Sequence, residues 1–164
     1  MFTLKMTKEE DASSSILVPF DQKWEKPMQG HQIKVFFRKR GPRAFTPDYV
    51  FVYIAAPASK LIGRAEVESF SFMRLDKAAK LAIDGGLTET ELRYYASSYS
   101  ELAVFQLKRF ERAESPITFA DMASAYNFHP PQSFVRLSES GKSQLETALG
   151  YPRPRTSKTQ KPRN

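Results

Sequence analysis

Four cations stand within seven residues in the run FRKRGPR: Arg38, Lys39, Arg40 and Arg43. Such a cluster can contact phosphates, with arginine forking onto two oxygens and lysine acting as a point charge. The same residues also read as the solvated end of a strand and its turn. Lys60 and Arg64 extend the patch if their strand runs beside it. A second candidate is Pro130-Pro131-Gln132-Ser133-Phe134. The Gln132 amide offers a donor and an acceptor to a base edge. Ser133 can hold a phosphate or the backbone, and Phe134 can anchor the loop; a rigid cover is the equal alternative. Trp24, Phe36, Tyr49, Tyr53, Tyr94, Tyr95, Tyr99 and Tyr126 could stack on bases, although most aromatic residues in strands and helices serve the core. Glu66 and Glu68 share a strand face and could act as acid and base, but a surface ion pair is the plainer reading. His31 and His129 lack ligand spacing, so no metal is expected. No phosphate-cradling glycine loop and no G-x-S-x-G run is present. No catalytic set and no cofactor is expected.

Composition bounds these readings. A chain of 164 residues, 41% hydrophobic and 13% aromatic, suits one folded domain. It has no cysteine, which excludes disulfides, thiol nucleophiles and thiolate metal sites, and fits a reducing compartment. No apolar run approaches the ~18 residues needed to span a bilayer, and the opening MFTLKMTKEEDASSS lacks the apolar core of a signal peptide. A cytoplasmic protein without membrane association is expected. The net charge is +7, but Arg153, Arg155, Lys158, Lys161 and Arg163 supply five of those charges. Residues 1–150 carry 20 basic and 18 acidic side chains. Local clustering therefore says more about the folded part than global charge does.

The elements that must position these residues alternate in period. Residues 1–14 read as a polar leader, followed by a buried strand at Ile16–Val18. Asp21 can cap a short helix carrying Trp24 toward the core and stopping near Pro27 and Gly30. Gln32–Lys39 alternates as a half-buried strand ended by Gly41-Pro42. Tyr49–Ala55 is apolar on both faces and therefore central. Leu61–Phe72 alternates but slips phase at Gly63, which predicts a bulge or a bend. Leu75–Ile83 reads as a helix, and Thr88 with Glu91 forms a capping box for the next. Ala103–Phe110 is another strand, and Ser138–Leu149 an amphipathic helix with Leu145 and Leu149 on one side. Residues 151–164 form a basic tail expected to be disordered. Strands in runs around a helical pair predict an α+β domain over residues 15–150, in which a curved sheet closing on itself would remove exposed edges.

Six ordered fragments carry a family resemblance: ILVPFDQKWEKPMQG, FRKR, YVFVYIAAPASKLIGRAEVESF, GLTETELRYYA, ELAVFQL and PPQSFVRL. Together they resemble the ASCH domain family of the PUA-like superfamily, over about Ser15 to Leu137. The resemblance implies a mixed β-barrel with flanking helices, in which the PPQSF loop closes over the barrel mouth. It also marks Tyr53, the tyrosine of "vYas", as a base-stacking candidate. The family's G-x-K-x-x-E-x-R or G-x-K-T-x-T-x-R strand would carry the chemistry of its hydrolase-like branch. Here Gln32 stands at the lysine, Val35 at the glutamate or threonine, and Phe37 at the arginine. Sliding by one residue restores Arg38 but puts Ile33 and Phe36 at the other two positions. Either way the lysine–carboxylate pair is lost, which weighs against catalysis.

These readings lead to a noncatalytic module that binds nucleic acid, expected to be RNA or a single-stranded segment, or a nucleotide. A transcription or translation coregulator is compatible with the resemblance. The expected contacts are Arg38, Lys39, Arg40, Arg43, Lys60, Arg64, Gln132 and Ser133. Two alternatives stay open: an enzyme acting on RNA or a modified nucleoside, and a protein-interaction adaptor whose tail is the working part.

Overall fold

The computed structural model describes Leu4 and residues 11–152. The strands are β1 (Ala12–Phe20), β2 (Val35–Arg38), β3 (Tyr49–Ile54), β4 (Lys60–Arg74), β5 (Glu101–Thr118) and β6 (Val135–Ser138). The helices are α1 (Glu25–Gln29), α2 (Leu75–Ala79), α3 (Glu89–Ala96), α4 (Phe119–Tyr126) and α5 (Glu139–Ala148). They form one mixed six-stranded sheet in the order β2-β5-β4-β3-β1-β6. β1 runs parallel to β3, and the other pairings are antiparallel. The α+β class and the flanking helices are as expected, but the sheet is not closed: β2 and β6 remain edges.

Alternation along the strands sorts the apolar side chains into separate cores. The inner cluster takes Ile16, Val18, Phe36, Val50, Val52, Ile62 and Phe105, with Phe134 packed against it. Leu17, Phe51, Tyr53 and Leu61 point the other way, against Met122 of α4 and Leu145 and Leu149 beside α5. Val35, Phe37, Leu102 and Val104 bury a third cluster under α2 and α3. β3 is buried on both faces, as its unbroken apolar run demands.

Gly63 lies where the β3–β4 and β4–β5 registers both shift, which places the predicted bend. A Cβ there would collide with the Glu111 carbonyl oxygen and the Phe110 ring. The helix expected over Leu75–Ile83 is split into α2 and a 3-10 turn at Ala82–Gly85. The capping box forms: Thr88 Oγ1 accepts from the Glu91 amide at 3.1 Å, and Glu91 accepts from the Thr88 amide at 3.0 Å.

β1 begins at Ala12, inside the segment expected as a polar leader. Ser13 and Ser15 are buried there because each finds a partner: Ser13 Oγ donates to Leu137 O at 2.8 Å, and Ser15 Oγ donates to Asp48 at 2.6 Å. Tyr151, assigned to the tail from sequence, packs against the outer core and donates to Glu111 O at 2.5 Å. The rest of the leader (residues 1–3 and 5–10) and of the tail (153–164) lies outside the described residues. Among the described residues, no helix is long and apolar enough to cross a membrane.

Candidate functional site

The pleat of β2 divides the FRKRGPR cluster. Phe36 faces the inner core, so Arg38 projects on that side. The Arg38 Nη2 donates to Pro19 O at 2.6 Å, and its guanidinium lies 4.4 Å from the Phe20 ring centre. Pro19 and Phe20 end β1, so Arg38 bridges by its side chain a gap that no backbone ladder closes. Lys39 sits over Tyr95 and Tyr99, at 5.1 and 5.6 Å. Arg40 is exposed. Arg43 lies on Phe72 at 3.7 Å and pairs with Glu101 at 2.7 Å.

Between β2, the Asp21–Trp24 turn and α3 the unclosed seam opens into a groove of about 1190 Å³. Asp21 shapes its near wall by accepting from the Lys23 amide at 3.0 Å, which starts the turn that holds Trp24. On the far wall, Leu92 and Ala96 bury one side of α3, while Tyr94 stands 89% exposed. Phe20, Met28, Ile33 and Phe36 supply apolar lining, and Trp24, Tyr94 and Tyr95 supply rings with polar edges. Among the lining residues, Lys23, Arg38, Lys39 and Arg93 outnumber Asp21 and Glu91 by two, and Arg93 also pairs with Asp76 at 3.2 Å and Glu89 at 3.4 Å outside the lining. Lys23 Nζ lies 5.3 Å from the Trp24 ring.

Two arginines inside the fold differ in their surroundings: Arg64 is buried and Arg38 half-buried. Burial pushes the Arg38 pKa down, and Tyr95 only partly offsets this. Its Nε is sealed from solvent without a hydrogen-bond partner. Arg64 is also buried, but it pairs with Glu111 at 3.1 Å and with Glu146, and lies between the rings of Tyr49 and Tyr151. Burial acts to lower its pKa, yet the carboxylates, Glu111 foremost, outweigh that and raise it.

Several expected contacts fall elsewhere. Arg64 does not join a surface patch, because alternation turns it onto the outer face, where the two glutamates hold it. Tyr53 offers no face to a base: it is 2% exposed and lies edge-on to Phe128, 5.2 Å between centres. Lys60 pairs with Glu25 at 2.8 Å. Gln132 is exposed and Ser133 half-buried, and neither lines the groove. Gln32 is exposed ahead of β2, while Val35 and Phe37 face α2 and α3. Glu66 pairs with Arg109 at 2.7 Å and with Lys108 at 3.8 Å. Sequence reasoning left Lys23 and Arg93 out of the site, and counted Trp24, Tyr94 and Tyr95 only among general stacking candidates. The available signal was Tyr94, a tyrosine on the polar side of a helix whose buried positions are Leu92 and Ala96.

No family model matches the chain, and no curated protein matches it significantly. Solved structures do. The crystal structure of ASCH from Zymomonas mobilis matches with a TM-score of 0.73 and 20% identity, over 82% of this chain and 94% of that one. A serine-to-alanine mutant of the Zymomonas mobilis protein gives 0.74 at 20% identity, over 85% and 98%. The N-terminal domain of Staphylothermus marinus McrB gives 0.52 at 12% identity, over 87% and 98%. The class is therefore set by structure: this is an α+β domain with the fold of the Zymomonas mobilis ASCH structures.

Proposed function

We propose that this chain is a noncatalytic nucleic-acid-binding module of the ASCH family, acting in the cytoplasm on single-stranded RNA through the open seam of its sheet. The observation that carries this reading is the groove itself. It combines stacking rings, an apolar floor and excess positive charge, the pairing that single-strand binders use. Its volume exceeds the roughly 300–1,000 Å³ of small-molecule pockets, leaving room for more than one nucleotide. Lys23 and Lys39 would meet phosphates, and Trp24, Tyr94 and Tyr95 would stack bases. Arg40 extends the positive rim. The PPQSF loop leads into β6, whose Val135 stands opposite Leu17, so its chain runs toward the end of β1 that Arg38 touches. Gln132 and Ser133 are thus suited to meet the strand as it leaves the seam.

The test uses protein ending at Pro152, which removes the five tail cations but keeps Tyr151. Its affinity for short single-stranded RNA should fall with salt. Lys23→Ala and Lys39→Ala should each flatten the slope by about 0.7 per lost phosphate contact. Tyr94→Ala should cost ~1–3 kcal/mol of binding at unchanged thermal stability. Absence of binding to any RNA or DNA at low salt would defeat the reading and leave the tail as the reason for the charge. Shortening of the RNA during the assay would favour the enzyme instead.

A further inference from the structure

We propose that the seam holds a phosphomonoester, anchored by Arg38, whose attached nucleoside stacks on the aromatic wall of the groove. This rests on the nucleic-acid reading above and names the chemical group that Arg38 would hold.

The buried Arg64 and the half-buried Arg38, whose Nε is sealed from solvent, differ in counter-charge. Arg64 has two carboxylates. Arg38 has none within ion-pair distance among the described residues. A buried cation without a counter-charge is costly in a folded protein and is normally paired or bound to something. A guanidinium carries five N–H donors. The Arg38 Nη2 meets Pro19 O, while Nε–H meets nothing. Arg38 borders the groove, so rotation about its side-chain bonds can turn the Nε–Nη fork toward it. That fork matches two oxygens of one phosphate, and the match is bidentate.

The depth of Arg38 selects the kind of phosphate. Phe20 lies against one face of the guanidinium, and Pro19 closes its Nη2 side. A diester would need chain leaving in two directions. A monoester needs only one exit, and the groove supplies it past Trp24 and Tyr94. A monoester also carries about −1.5 to −2 charge near neutrality, since its second pKa is about 6. That is enough to balance the excess charge of the lining, Arg38 included. The monoester can belong to a free nucleotide or to the phosphorylated end of a strand.

Trp24 is the only tryptophan of the chain and borders the groove, so its fluorescence reports occupancy directly. Full-length protein is titrated with uridine, uridine monophosphate, and short oligouridylates bearing a 5′-phosphate, a 3′-phosphate or hydroxyl ends only. The phosphorylated member of each pair should bind about 10- to 100-fold tighter, as charge-assisted hydrogen bonds predict. Arg38→Gln should erase that preference, and Arg38→Lys, which keeps the charge but not the fork, should recover only part of it. Uridine monophosphate equal to the phosphorylated strand identifies the free nucleotide as ligand; preference confined to strands identifies the strand end. Equal affinity of wild-type protein for phosphorylated and hydroxyl ends would overturn the inference while leaving strand binding intact. A preference that survives Arg38→Gln would overturn the assignment to Arg38.

Discussion

At the scale of single residues, this molecule places two arginines in low-polarity surroundings and treats them oppositely. Arg64 is satisfied by Glu111 and Glu146 and sandwiched by two tyrosines, so it acts as a rivet between β4, β5 and α5. Removing it strands two partly buried carboxylates. Arg64→Met should lower the unfolding free energy by about 3–5 kcal/mol, read from the denaturant midpoint. Arg38→Met removes a cation that lacks a counter-charge, and should leave stability within about 1 kcal/mol of wild type. A comparable loss at both positions would contradict the distinction, and with it the idea that Arg38 is held for a ligand.

At the scale of elements, the bend in β4 and the placement of α3 together make the groove. Gly63 lets β4 pass the Glu111 carbonyl and the Phe110 ring at a distance no Cβ permits. The register shifts on both sides of β4 follow from that approach. Gly63→Ala forces the two strands apart and should destabilise the domain by about 1–3 kcal/mol or more. It should also weaken ligand binding beyond what the loss of folded protein explains, since β5 carries β2 and hence Arg38. Thermal melts and binding isotherms on the same preparation separate the two effects. The capping box that starts α3 serves the other wall, because it fixes the helix that presents Tyr94.

At the scale of the whole molecule, burial sets the alkaline limit. Tyr49, Tyr53, Tyr126 and Tyr151 all have phenol pKa values raised by burial, Tyr151 furthest. Each holds its proton more tightly folded than unfolded. Their contribution to stability is complete below the ordinary phenol value of about 10 and is lost as pH rises through the folded-state values. Phenolate absorbance from these four should therefore grow together with loss of the circular dichroism signal. Tyr151→Phe should make the alkaline loss of stability shallower. Ionisation of all the tyrosines while the fold stays intact would show that the packing around them is looser than described.

The sequence by itself determined the kinds and order of the elements. The two-sided apolar run of β3, the phase slip at Gly63 and the Thr88–Glu91 cap are local signals, each produced by residues a few positions apart. Local period and capping chemistry depend on little else, so they could be read directly. Arrangement could not. FRKRGPR looked like one patch, but adjacent residues of a strand face opposite ways, and the tertiary structure sent Arg38 to Pro19, Lys39 to Tyr95 and Arg43 to Glu101. The partners of Arg64 lie 47 and 82 residues along the chain. Whether a cation is free, riveted or waiting for an anion depends on such distant neighbours, because Coulomb energy and desolvation follow distance in space. The groove is likewise a tertiary fact: no local pattern states that β2, the Asp21–Trp24 turn and α3 come together around it.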